Sequence, residues 1–206
     1  MTTINAKSTG LQPESCRPVG SASRVGVVVA TAAVMIAAIG VLRWEGRPWW
    51  CKCGQFFPWV TDVNSSHNSQ HLFDPYSFTH VLHGVAFCGI LAWILPRVPL
   101  AWRCWMTLVL EALWEMAENS NVVIQRYRTA TIALGYEGDS VINSLSDIMC
   151  CGLGFVLAAR LGWRASFLIF VVTETILLFW IRDNLTLNVL MLIYPSEAIK
   201  AWQSGA

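Results

Sequence analysis

Long apolar segments separated by polar connections dominate the chain. A helix of about 20 residues crosses the hydrocarbon core of a bilayer at 1.5 Å per residue. Five segments come close to that length: 25–42, 77–95, 100–119, 140–161 and 165–181. A sixth, 185–194, is too short to cross unaided and predicts an interfacial or re-entrant helix before Pro195. The pattern predicts an all-α integral membrane bundle of about five transmembrane helices plus a short C-terminal helix.

Composition indicates the same class. Of 206 residues, 55% are hydrophobic and only 13% are charged, whereas about 25% of the residues in an average soluble domain are charged. The net charge of +1 and the lack of a basic run argue against nucleic-acid binding. We therefore expect membrane lipid as the partner, and a function carried by individual polar residues.

The N-terminal part of the chain differs from the rest. Residues 1–24 are rich in Ser, Thr, Gly and Pro and predict a disordered tail, followed by a single membrane domain over 25–206. The segment 25–42 also resembles a signal peptide, but the spans that follow favour an uncleaved anchor. The Trp- and Phe-rich loop between Arg43 and Tyr76 is typical of chain lying along a membrane interface.

The 14 Lys and Arg residues divide evenly between the two sides of the membrane, so their total number does not predict the orientation of the protein. Only the basic residues in short turns do. Two short turns, one with Arg97 and Arg103 and the other with Arg160 and Arg164, contain no acidic residue. The positive-inside rule acts most strongly on such turns beside spans. It places both turns, and with them the N-terminus, in the cytoplasm.

Three glutamates form a stripe on the third segment. Glu111, Glu115 and Glu118 are spaced by four and then three residues, so they share one helical face. A carboxylate near the bilayer centre costs about 2.5 to 3.5 kcal/mol, whereas each neighbouring Leu or Val contributes only about 0.3 to 0.6 kcal/mol in favour of insertion. We therefore expect this face to point into a polar interior built by other helices.

Other segments carry polar residues that match the stripe in depth. They are His80 and His83 on the second segment, Asp139, Asn143 and Asp147 on the fourth, and Glu174 on the fifth. Counted from the outer ends, His83, Asp147 and Glu174 lie roughly 9 to 12 Å deep, at the level of Glu111. Because an ionisable residue inside a membrane is costly, this coincidence predicts one polar pocket near the outer face.

Imidazoles with several carboxylates form a ligand set suited to Zn, Mn or Fe. We assign His80, His83, Glu115 and Asp147 as metal ligands and Glu111 or Glu118 as the general base. Arg126 and Arg128, on the outer connection, are then contacts for an anionic head group, with Asn143, Asp139 and Glu174 as further pocket residues. The leading hypothesis is a metal-dependent envelope enzyme acting on a lipid or lipid-linked head group.

Two other functions use the same residues. Without a metal, protonated acids would form the relay of a proton-coupled transporter. In an assembly or structural protein, the polar residues would only hold helices together. Asp139 would then be a helix N-cap, and Arg126 and Arg128 would pair with Glu118 or Glu137.

A second group of metal-ligating residue types lies in the first loop. Cys51-x-Cys53 followed by His67-x3-His71 resembles a Cys2His2 zinc pattern, although its cysteines are one residue closer than in the usual C-x2-4-C spacing. An oxidising compartment favours a disulfide instead. Interfacial structure without a metal is the simpler interpretation of this loop.

Several motifs resemble a known family. They are Asn68-Ser-Gln-His71, Thr79-His80-x2-His83, Glu111-x3-Glu115-x2-Glu118-Asn119, Arg126-Tyr-Arg128, Gly138-Asp-Ser140-x2-Asn143-Ser-x2-Asp147 and Ile181-Arg-Asp-Asn-Leu-Thr-Leu-Asn188. Together they resemble a bacterial inner-membrane family catalogued as a domain of unknown function. The resemblance covers about residue 51 to the C-terminus. It implies a multi-pass cell inner-membrane protein and brings no established activity.

A more distant similarity concerns the layout alone. A His on one span, Glu on the next and Asp147-x4-Gly152 are similar to VanZ-like membrane proteins, which are associated with the cell envelope and glycopeptide resistance. The usual Gln of that pattern is missing here.

Overall fold

The computed structural model describes residues 21–131, 133 and 135–205. They form seven helices: α1 Ser21–Trp44, α2 Ser77–Ile94, α3 Leu100–Glu118, α4 Asn121–Ala130, α5 Val141–Trp180, α6 Leu185–Ile193 and α7 Glu197–Ser204. Within these residues there is no β-strand, only an isolated bridge between Trp59 and Phe73. The all-α prediction is confirmed. The predicted disordered tail falls almost entirely outside the described residues.

In the described part of the chain, three helices are long and apolar enough to cross a membrane: Val25–Trp44, Ser77–Ile94 and Val141–Trp180. The predicted count of five is therefore only partly supported. The segment 100–119 forms the helix α3. Arg103 and the three glutamates make α3 too highly charged to count among the helices that are apolar enough to cross a membrane. The segments 140–161 and 165–181 both lie within α5.

The helix α5 reverses its direction at Gly162. That residue has φ 77° and ψ 170°, outside the helical region. Before α5, Ser140 N donates to Ser69 O at 2.9 Å, and after α5, Asp183 Oδ2 accepts from Tyr76 Oη at 3.2 Å. Ser69 and Tyr76 are at most about 25 Å apart along the chain, whereas a straight helix of this length spans about 60 Å. The two halves of α5 are therefore antiparallel, and both ends lie beside the start of α2.

The first half of α5 packs against α2 with backbones in contact at two glycines. A Cβ atom on Gly84 would lie 1.9 Å from Cys151 O, and one on Gly154 would lie 2.0 Å from Val81 O. Small residues permit this close helix–helix approach inside membranes. One helical turn before Gly84 lies His80, and one turn before Cys151 lies Asp147, so the contact brings these two side chains together.

Acidic side chains are buried inside the bundle, while large aromatic side chains are exposed on its outside. Glu111, Glu115 and Thr107 are completely buried, whereas Trp93 and Phe179 are exposed to 83% and 78%. A soluble protein buries its large apolar side chains and seldom buries Glu. This distribution, together with the three apolar helices, indicates a membrane protein.

Candidate functional site

The carboxylate of Glu111 on α3 orients two histidines of α2. His80 Nδ1 lies 2.5 Å from Glu111 Oε1, and His83 Nδ1 lies 2.9 Å from the same oxygen. Because an ionised carboxylate only accepts hydrogen bonds, both histidines donate from Nδ1. Their Nε2 atoms then keep a lone pair for a ligand, which is the arrangement found around protein-bound metals. Glu111 therefore acts on the site through the histidines.

Three carboxylate oxygens beside His80 lack a hydrogen bond. Both oxygens of Glu115 and Oδ1 of Asp147 are buried and have no hydrogen-bond partner among the described residues. Glu115 Oε1 lies 3.3 Å from His80 Nδ1 without the alignment of a hydrogen bond, and Asp147 Oδ2 lies 3.8 Å from His80 Nε2. Buried carboxylates without partners are costly. A cation or bound protons would remove that cost.

Ligand atoms around His80 are close enough to share an ion. One atom from each of His80, Glu115 and Glu118 lies within 4.8 Å of the others, and the same holds for His80, His83 and Glu111. Each of the other three predicted metal ligands lies beside His80, although Asp147 belongs to neither of these two sets. Of the two predicted bases, Glu118 borders the open space beside this cluster, whereas Glu111 is hydrogen-bonded to the histidines.

A cavity of about 360 Å³ adjoins the cluster. His80, His83, Glu118 and Asp147 line one part of it, and the loop before α2, the helix α4, the connection from α4 to α5 and the start of α6 supply most of the rest. Its size falls at the lower end of the range for small-molecule sites. The arrangement can hold a cation at the bottom of a cavity that accommodates a polar group.

Tyrosines form part of the cavity wall, and sequence reasoning did not assign them. Tyr127 Oη donates to Glu118 Oε1 at 2.7 Å, and Tyr76 Oη donates to Asp183 Oδ2 at 3.2 Å. Burial raises the pKa of both phenols well above its usual value, and the neighbouring carboxylates raise it further. Both therefore remain donors at neutral pH. Tyr127 lies in the Arg-Tyr-Arg motif, which was the only available signal.

Asp139 is not the N-cap of α5. Ser140 caps α5, because its side chain accepts a hydrogen bond from Asn143 N. The carboxylate of Asp139 accepts instead from Asn119 Nδ2 at 3.0 Å and from Tyr136 Oη at 2.9 Å. Burial raises its pKa despite these donors. Asp139 lines the cavity as predicted, but the N-cap interpretation is wrong.

Two other predicted pocket residues bind elsewhere. Glu174 accepts hydrogen bonds from Leu185 N at 2.9 Å and Thr186 N at 3.0 Å, so it caps the N-terminus of α6. A carboxylate satisfies the free N–H groups of a helix start and interacts favourably with its dipole. The amide of Asn143 donates to Leu72 O at 3.4 Å and ties the loop to α5.

The two arginines of α4 bind backbone carbonyls and are not among the residues that line the cavity. Arg126 Nε donates to Leu192 O at 2.9 Å, near the end of α6, and Arg128 Nε donates to Tyr136 O at 2.5 Å. Their predicted contact with an anionic head group stays a prediction. Sequence distance alone could not reveal that α6 returns beside α4.

The Cys-x-Cys and His-x3-His residues of the first loop come together. One atom from each of Cys51, Cys53, His67 and His71 lies within 4.8 Å of the other three. Cys51 Sγ is 3.3 Å from His67 Nδ1, and Cys53 Sγ is 3.8 Å from His71 Nε2. The metal interpretation that sequence spacing disfavoured is therefore the one that the geometry supports.

Comparison with known proteins agrees with the resemblance seen in the motifs. Residues 42–205 match the family described as "Protein of unknown function (DUF2585)". The chain belongs to the DUF2585 family. A UPF0314 protein of Sphingopyxis alaskensis is 47% identical over 191 residues, covering 91% of this chain and 99% of that protein. The similarity to this relative covers nearly the whole length of both chains.

Further relatives give the same result. A UPF0314 protein of Paracoccus denitrificans is 46% identical, covering 85% of this chain and 91% of its own. A UPF0314 protein of Rhizobium etli is 49% identical, covering 86% of this chain and 91% of that protein. No solved structure matches the chain. The similarity to VanZ-like proteins is not shown by these comparisons.

Proposed function

We propose that this protein is a metal-dependent enzyme of the cell envelope that acts on a lipid or lipid-linked head group. The observation that carries the proposal is the set of buried carboxylate oxygens of Glu115 and Asp147 without partners, next to His80. A divalent cation bound there would satisfy these oxygens and offset the repulsion among crowded acids. Imidazole with carboxylate ligands suits Zn, Mn or Fe.

The residues around the proposed ion take distinct roles. His80, His83, Glu115 and Asp147 would be its ligands, and Glu111 would fix the two imidazoles through their Nδ1 atoms. The ion would polarise a phosphoryl or carbonyl oxygen, or activate water. Glu118 borders the cavity and receives a hydrogen bond from Tyr127, so it is the general base of this proposal.

The substrate class follows from the position of the cavity. Its wall includes the polar loop residues Asn64 and Asn68 and the apolar Trp114 of α3. A head group would meet the polar side, while an attached acyl or prenyl chain would extend along the exposed apolar surface of the bundle. In contrast to the prediction from sequence, the head group would be recognised by neutral amide side chains such as those of Asn64 and Asn68 rather than by Arg126 and Arg128.

We also propose a five-span topology in the bacterial inner membrane. The spans are α1, α2, α3 and the two halves of α5, with α3 covered by its neighbours so that its glutamates do not face lipid. The reversal at Gly162 and the burial of Glu111 and Glu115 support this count. The N-terminus and the Arg97 and Arg160 turns would be cytoplasmic, and the cavity would open near the outer face.

The central test is the substitution Glu115→Gln in the full-length protein. Gln keeps the size and hydrogen-bonding capacity of Glu but loses the charge, so a purely structural role should change stability by only about 1 kcal/mol. We expect loss of one bound metal equivalent, and of the cellular phenotype, while the protein accumulates in the membrane at normal levels. Glu197→Gln, at an exposed position in α7, is the matched control and should change neither.

Each alternative predicts a different result. Full metal content and a normal phenotype in Glu115→Gln would refute the enzyme proposal. A wild-type protein without metal at this site, whose acids titrate near neutrality, would instead support a proton relay. Loss of function in proportion to protein abundance would indicate a structural role, since a small loss of stability alone can lower abundance several-fold.

A further inference from the structure

The first loop contains a second candidate metal site, separate from the carboxylate cluster. We propose that Cys51, Cys53, His67 and His71 bind a structural zinc ion. In tetrahedral zinc sites the metal lies about 2.3 Å from sulfur and about 2.0 to 2.1 Å from nitrogen. Neighbouring ligand atoms are then roughly 3.3 to 3.8 Å apart. Two of the six separations, 3.3 Å from Cys51 Sγ to His67 Nδ1 and 3.8 Å from Cys53 Sγ to His71 Nε2, fall in this range, and all six are within 4.8 Å.

A tight turn explains how cysteines so close in sequence can both be ligands. Gly54 N donates to Cys51 O at 3.2 Å, which closes a turn around Lys52. Gln55 N lies 3.4 Å from Cys53 Sγ, so a backbone N–H points at that sulfur. Such a donor stabilises a metal-bound thiolate. The turn thus compensates for the short Cys-x-Cys spacing.

The histidines are held by an aromatic shell. The ring of Phe57 lies 5.1 Å from that of His71 and 6.1 Å from that of His67, and Trp50 contacts His71 edge-on at 5.4 Å. His71 is almost completely buried, whereas Cys53 is exposed. Zinc binding through His71 Nε2 would place the ring proton on Nδ1. Phe57 N and His71 Nδ1 would then both carry a proton, so the 3.4 Å contact between them would have to lengthen slightly.

The first loop lacks secondary structure, so a zinc ion would have a structural role there. Residues 45–76 contain no helix or strand, and connections of that length without secondary structure are uncommon in compact domains. His67 and His71 flank Asn68 and Ser69, which line the cavity of the bundle. Ser69 O in turn accepts a hydrogen bond from Ser140 N, just before α5. A zinc ion would fix this rim of the cavity to the rest of the loop.

Two thiolates distinguish this site from the carboxylate cluster, so the two proposals can fail independently. The full-length protein is purified in detergent, reduced and loaded with zinc, and the variant Glu115→Gln is used to leave only the thiolate site. We expect one zinc per chain, with an X-ray absorption spectrum showing two sulfur and two nitrogen ligands. Cobalt loading should give a thiolate-to-cobalt charge-transfer band, which a site of nitrogen and oxygen ligands cannot produce.

Substitutions give a second readout. Cys53→Ser should weaken zinc binding by at least about 100-fold, because even changes beside a ligand cost up to that factor. Cys104→Ser, at a half-buried position in α3, is the control and should bind zinc normally. Absence of zinc after reduction and loading, a spectrum with only nitrogen and oxygen ligands, or a Cys51–Cys53 disulfide in freshly isolated membranes would overturn the proposal.

Discussion

The contact between α2 and α5 predicts that Gly84→Ala disrupts the bundle. The added Cβ would lie 1.9 Å from Cys151 O and 2.6 Å from Phe155 N, both backbone atoms, so no side-chain rotation can relieve the overlap. The helices would have to move apart by about 1 Å, and overpacking of a close-packed interface costs about 1 to 3 kcal/mol. We expect the upper end of this range.

The same helix supplies the control. Gly89 also lies in α2, but nothing lies within 4 Å of a Cβ placed there. Gly89→Ala should therefore be neutral or stabilise the helix by about 0.5 to 1 kcal/mol. The two Ala variants differ only in position, so their free energies of unfolding in detergent, measured by denaturant titration, should differ by about 3 kcal/mol.

Metal content provides an independent readout of the same change. Separation of the helices would increase the 3.8 Å distance between His80 Nε2 and Asp147 Oδ2. Gly84→Ala should therefore also weaken metal binding at the carboxylate cluster, whereas Gly89→Ala should not. Equal stability of the two variants would refute the packing argument, because it would mean that the backbones are not in contact.

Two further predictions concern topology and pH. A membrane-impermeant thiol reagent applied to intact cells should label Ser66→Cys, in the exposed first loop, above the wild-type level but leave Arg97→Cys unlabelled; the reverse pattern would show that the proposed orientation is wrong. Burial raises the pKa of Asp183 from 3.8 to about 6, so the folded state binds the proton of this carboxyl more tightly than the unfolded state does. The stabilisation of the folded state by this proton is complete below pH 3.8 and is lost as the pH rises through 6. The stability of the wild type relative to Asp183→Asn should thus fall by on the order of 2 kcal/mol between pH 4 and 7, and a difference that does not change with pH would contradict this assignment.

Sequence periodicity was sufficient to bring His80, Glu111, Glu115 and Asp147 to one place. Each residue recurs at helical spacing on an apolar segment, and the cost of exposing a charge to lipid leaves few alternatives to a shared interior. Depth and spacing are properties of single helices, so they can be deduced from one sequence.

Contacts between helices and loops could not be deduced in this way. The capping of α6 by Glu174, and the binding of Arg126 to the end of the same helix, depend on where α6 returns. The approach of the first-loop cysteines to His67 and His71 could not be deduced from their linear spacing either. The turn that joins Cys51 to Gly54 brings the sulfur atoms together in three dimensions.

The reversal at Gly162 determines how the chain is distributed between compartments. Because both ends of α5 lie beside the start of α2, the whole 40-residue helix makes no net change of side. In the proposed five-span topology, the segments before Val141 and after Trp180 therefore face the same compartment. A reporter fused behind Ser204 would share its surroundings with the first loop and the mouth of the cavity, although more than a hundred residues separate them in the sequence.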